Sequence, residues 1–66
     1  MTVAVDIGNT NIVVAVEKDG EWNKPFRVFT DTKKTGDEYS VIFSSLFASR
    51  GVEKDMVDKV IISSVV

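Results

Sequence analysis

The chain contains no cysteine and no histidine. Without cysteine it can form no disulfide, offer no thiolate nucleophile and bind no metal through sulfur. Without histidine it lacks the commonest general base and zinc ligand. Any chemistry must therefore rest on carboxylates, hydroxyls, amides and backbone groups. An excess of positive charge is also missing: eight basic and ten acidic residues give a net charge of -2, so no strong field exists to hold nucleic acid or an anionic membrane. Lys33 and Lys34, the only basic cluster, read as solvated loop residues with no role. No apolar stretch approaches membrane-spanning length, and no basic segment leads into an apolar one at the start, so a cytoplasmic location is the expectation. Proline occurs once and low-complexity tracts are absent.

What is present is a globular composition, 44% hydrophobic and 27% charged, in 66 residues. A chain of that size can build one small core. Thr2 to Ile7 carries Val3, Val5 and Ile7 on one face and Ala4 on the other, the pattern of a central strand covered on both sides. After the break Gly8-Asn9-Thr10, the β-branched run Asn11 to Glu17 predicts a second strand, antiparallel to the first because the connection is so short. Asp19-Gly20 is a strong turn signal and leads to a third strand near Trp22 to Thr30. Pro25 lies within it, which calls for an edge position or a bulge. Trp22, Phe26 and Phe29 on that strand read as core or interface residues rather than a stacking platform.

Thr35-Gly36-Asp37-Glu38 has capping-box spacing and predicts a helix start. Tyr39, Ile42, Phe43, Leu46 and Phe47 then fall on one face, while Arg50 and Gly51 mark the end. A polar connector over Glu53 to Lys59, with room for one helical turn, leads to a last β-prone run, Lys59 to Val66, expected parallel to the first strand. If the helix covers one sheet face, the other requires a partner, either further chain or a second subunit. The chain ends inside an apolar strand, which points to a longer polypeptide. Asp31, Asp37, Asp55 and Asp58 read as solvated or capping residues rather than metal ligands.

One constellation carries chemical meaning: Asp6-Ile7-Gly8-Asn9-Thr10-Asn11, a carboxylate closing an apolar strand and a tight polar loop directly after it. Gly8 permits positive φ and a close backbone approach. Successive amides around such a turn make a concave donor set for phosphate oxygens, to which Thr10 and Asn11 add a hydroxyl and an amide. Asp6 can hold Mg²⁺ or its water shell. The same residues also serve a plain hairpin turn, with Gly8 and Asn9 chosen for backbone angles and Asp6 capping free amides. Spacing alone leaves both readings open, since a short Gly-containing loop is a weaker motif than a full Walker A.

The whole chain resembles the start of type III pantothenate kinases, within the superfamily of actin, the Hsp70 ATPase domain and sugar kinases. The likeness rests on three segments: Asp6-Ile7-Gly8-Asn9-Thr10-Asn11; Thr30-Asp31 with Thr35-Gly36-Asp37-Glu38-Tyr39; and Val60-Ile61-Ile62-Ser63-Ser64-Val65-Val66. Sugar kinases usually carry a second glycine where Asn9 stands. The resemblance implies an α/β, ribonuclease H-like half-domain, in which a three-stranded antiparallel meander is followed by a helix and a strand parallel to the first. On this reading residues 1–66 form the amino-terminal portion of an actin-type ATPase domain.

The resemblance further implies that Asp6, Ile7, Gly8, Asn9, Thr10 and Asn11 form the first phosphate loop for ATP, continued by Ile12 and Val13, with Asp6 toward the metal. The family phosphorylates pantothenate to 4′-phosphopantothenate, the first step of coenzyme A biosynthesis. It uses Mg²⁺ and a monovalent cation, K⁺ or NH₄⁺, and its members are homodimers. The general base and the pantothenate contacts are expected beyond Val66, so no catalytic residue is assigned here and these 66 residues alone are expected to be inactive. Thr35, Asp37, Glu38 and Tyr39 match a recurrent family pattern, yet the cap and the apolar face account for them structurally. The alternatives are another superfamily kinase acting on a sugar or other alcohol, and a non-catalytic accessory protein of transcription with the same fold.

Overall fold

The computed structural model describes residues 1–64. Strand β1 (Thr2–Ile7) turns through Gly8-Asn9-Thr10 into β2 (Asn11–Lys18), and the pair is antiparallel with Val3 opposite Val16, Val5 opposite Val14 and Ile7 opposite Ile12. This register puts every β-branched side chain of that alternation on one face, where burial can stabilise it. Asp19 (φ 54°) and Gly20 (φ 83°) then make the tight turn expected from the Asp-Gly pair.

The third strand differs from the single run expected over Trp22 to Thr30. It is two short strands, β3 (Glu21–Trp22) and β4 (Phe26–Phe29), both paired with β2. Glu17 faces Trp22 and Val14 faces Phe26, so Ala15 and Val16 on β2 stand against Asn23, Lys24 and Pro25. That extra residue is a bulge on an edge strand, where a proline without an N–H is tolerated. Its consequence is a change of face. Trp22 stays on the open side with 55% exposure, whereas Phe26 swings into the core at 6%. Phe29, back on the open side, is 69% exposed, so of the three aromatics only Phe26 is core.

Helix α1 (Gly36–Ser49) begins with the capping box: the Glu38 N–H donates to the Thr35 hydroxyl, and the Glu38 carboxylate accepts from the Thr35 N–H. It ends in a Schellman arrangement, with the Val52 N–H on the Phe47 carbonyl, the Gly51 N–H on the Ala48 carbonyl, and Gly51 at φ 71°. Arg50 is the C-cap rather than a last-turn residue. Its guanidinium donates to the Lys24 carbonyl and lies over the Phe26 ring, which also meets Phe47 edge-on at 5.6 Å. The bulge and the helix end thus brace each other.

A single 3₁₀ turn at Lys54–Met56 precedes β5 (Lys59–Ser64), which runs parallel to β1, with Val60 beside Val3 and Ser63 beside Asp6. Val65 and Val66 of the expected last strand lie outside the described residues. The sheet order is β3-β2-β1-β5, with β4 sharing the β3 side of β2. The strand, strand, strand, helix, strand order expected from the sequence is therefore present.

The core consists of Val3, Ile12, Val14, Val16, Phe26 and Val52, with Tyr39, Phe43, Leu46 and Phe47 of α1 packed against it. Ile42, expected on the same helix face, is half-buried outside that cluster. The helix covers the β2 side more fully than β5. Between them lies a cleft of about 680 Å³ lined by Val3, Val5, Phe43, Phe47, Val57 and Val60 among others, and Ile62 on the same face is 66% exposed. Asp58 is solvated, as expected, and also ion-pairs with the terminal ammonium of Met1 at 2.7 Å. Among the described residues no helix is long and apolar enough to cross a membrane.

Candidate functional site

Asp6 is the last β1 residue on the face that α1 does not cover. Alternation puts Val3, Val5 and Ile7 toward the helix and Asp6 away from it. Val13 on β2 and Ser63 on β5 flank it in register. Asp6 is exposed, and among the described residues its carboxylate makes no ion pair or hydrogen bond. A charged group at the end of a central strand with no internal partner contributes nothing evident to the fold.

The loop after it is held by a few backbone bonds. The Gly8 N–H donates to the Asn11 carbonyl at 2.9 Å, and the Thr30 N–H donates to the Thr10 carbonyl at 2.8 Å. The Thr30 hydroxyl donates to the Gly8 carbonyl at 3.1 Å. Among the described residues the N–H groups of Asn9 and Thr10 donate to no protein acceptor. Two successive free amides beside an unpaired carboxylate can receive an anion together with a hard cation that bridges to it.

The positive φ expected of Gly8 is absent, while the close backbone approach expected there is made within the loop itself. Positive φ occurs at Asp19, Gly20 and Gly51 among the described residues, and at neither Gly8 nor Asn9. The constraint is space: a Cβ on Gly8 would sit 3.1 Å from the Asn11 carbonyl oxygen, tighter than ordinary contact. The loop closes on itself at that point, and only a hydrogen fits comfortably.

The family model described as type III pantothenate kinase matches residues 2–66. The chain belongs to this family. It is 46% identical to the type III pantothenate kinase of Pelobacter propionicus, 47% identical to that of Brevibacillus brevis and 41% identical to that of Myxococcus xanthus. Each match covers all 66 residues here and 26% of the relative, so the chain spans about a quarter of the length of the curated relatives it matches.

Of the residues singled out from the sequence, the fold brings Asp6, Gly8, Asn9, Thr10, Asn11 and Val13 to one end of the open face or to the loop above it. The side chains of Ile7 and Ile12 belong elsewhere: they face each other on the helix side, with Ile12 in the core. Their link to the site is through the backbone alone. Sequence reasoning missed Thr30, which bonds the loop at two points from the residue directly after β4. It also gave Tyr39 only an apolar role, although the Tyr39 hydroxyl accepts from the Asp31 N–H at 2.7 Å and donates to the Asp31 carbonyl at 2.8 Å. The Thr30-Asp31 pair within the family resemblance was the one available signal.

Proposed function

We propose that in the complete protein this chain supplies the first ATP-phosphate loop of an enzyme that phosphorylates pantothenate to 4′-phosphopantothenate at the start of coenzyme A biosynthesis. The observation that carries the reading is that the unpaired Asp6 carboxylate lies at the end of β1 and the free N–H groups of Asn9 and Thr10 lie in the loop that directly follows it. Family membership supports the chemistry; the loop geometry supports the location. Gly8 to Asn11 would cradle phosphate oxygens through backbone and side-chain donors, and Ile7, Ile12 and Val13 would hold that backbone from beneath.

A lone exposed carboxylate fits magnesium, which keeps several waters and takes one or two protein carboxylates along with substrate phosphates. Asp6 is the residue that would hold Mg²⁺ or its water shell. The ion supplies charge neutralisation on the transferred phosphoryl group. No residue of this chain is assigned to the monovalent cation, K⁺ or NH₄⁺, that the family likeness brings with it.

Phosphoryl transfer depends on groups converging on the phosphate from several sides. One hairpin provides one side, so the general base and acceptor contacts belong to the rest of the enzyme and residues 1–66 alone are inactive in this account. A cytoplasmic homodimer completes the proposal, its second subunit or further chain covering the open face. The test is pantothenate-dependent ADP release by the complete protein with Mg²⁺ and K⁺ present. Release that disappears in Asp6→Asn supports the assignment. ATP turnover on a different alcohol would move the reading to another superfamily kinase, and absence of any turnover would favour the accessory-protein alternative.

A further inference from the structure

Thr30 stands 22 residues from Gly8 in sequence, yet its hydroxyl reaches the Gly8 carbonyl while its N–H reaches the Thr10 carbonyl. Every described peptide bond is trans, and in a trans peptide the C=O and the following N–H point in opposite directions. Holding the Gly8 and Thr10 carbonyls toward β4 therefore turns the N–H groups of Asn9 and Asn11 away from β4. The next residue, Asp31, is clamped at both its N–H and its C=O by the Tyr39 hydroxyl on α1. Thr30 is thus anchored from one side and grips the loop on the other.

We propose that Thr30 is a positioning residue that sets the direction of the Asn9 amide, one of the two free loop donors, and Tyr39 the strut that keeps it in place. This rests on the reading of the loop as the ATP-phosphate site. Without the Thr30 hydroxyl, the Gly8-Asn9 peptide loses its restraint and can rotate, swinging the Asn9 donor out of alignment. Glycine on one side of that peptide makes the rotation easy.

The test uses the complete protein. Thr30→Val keeps the shape and the backbone bond to Thr10 but deletes the hydroxyl, and Thr30→Ser restores it. Loss of one such bond to a part-buried carbonyl is expected to raise the KM for ATP about fivefold, leaving the KM for pantothenate unchanged, and serine is expected to recover the ATP value. Tyr39→Phe is expected to move the KM for ATP in the same direction by less.

Equal changes in both KM values, or failure of serine to restore, would mean a general packing role and overturn the proposal. Asp6→Asn separates the two levels. If that variant is dead while Thr30→Val binds ATP normally, the site stands and the role of Thr30 falls. If Asp6→Asn retains full turnover, the site reading falls and takes this inference with it.

Discussion

Strand β2 is bounded by two tight turns, each with a glycine and an Asx residue, and they differ in what holds them. The Asp19-Gly20 turn is local. Both residues take positive φ, the preference of their side chains suffices, and no contact from a distant element is needed. The Gly8 to Asn11 loop has no positive φ. It is shaped by a close approach at Gly8 and by two bonds from Thr30 across the sheet. The first turn joins two strands locally; the second is held by tertiary contacts, and its Asn9 and Thr10 amides have no protein acceptor among the described residues. A turn that the fold constrains from a distance, beyond what reversing the chain requires, is where function is to be sought.

Substitutions sharpen this contrast. The largest effect is expected beside the second turn, where Asp6→Asn should lower turnover of the complete protein by about two orders of magnitude or more while the melting temperature holds, since Asp6 has no internal partner. Steady-state kinetics alongside thermal unfolding check this. Gly8→Ala comes next: its Cβ presses on the Asn11 carbonyl, and the resulting shift of the loop should raise the KM for ATP about tenfold, roughly the 1.4 kcal/mol that a misaligned donor set would forfeit.

Gly20→Ala is the matched control at the other turn. Alanine at φ 83° should destabilise the fold by about 1–2 kcal/mol, read by denaturant unfolding, with no change in either KM. An ATP effect there as large as at Gly8 would erase the distinction between the turns. The smallest effect is expected at the helix start, where Thr35→Ala removes the capping hydroxyl and should lower stability by about 1 kcal/mol, again with kinetics unchanged. A larger loss in ATP affinity than in stability would give Thr35 a part in the site that its cap geometry does not suggest.

The same contrast explains what could be read from the residues. The β1-β2 hairpin, the Asp19-Gly20 turn, the Thr35 cap and the Gly51 stop are governed by nearest neighbours and side-chain periodicity, and they stand where expected. Pro25 announced a bulge or an edge, and both occur. The fate of the neighbouring aromatics was not legible, because one extra residue at Asn23 to Pro25 reverses which face Phe26 occupies. Asp6 and its loop could be picked out as chemically able, and so could a close approach at Gly8, but not its absence of positive φ or its partner, the Asn11 carbonyl, since these depend on how the loop closes. Thr30, Tyr39, Arg50 and Asp58 act through contacts between distant elements, to backbone groups or the chain terminus. No local pattern encodes such partners.

The central claim is most directly tested by titrating the complete, isotopically labelled protein with a non-hydrolysable ATP analogue and Mg²⁺ while following backbone amide resonances. The Asn9 and Thr10 amides should move together and saturate at one affinity, with Asp19 and Gly20 silent. A silent Gly8 to Asn11 loop, with nucleotide binding reported only elsewhere in the protein, would contradict the account.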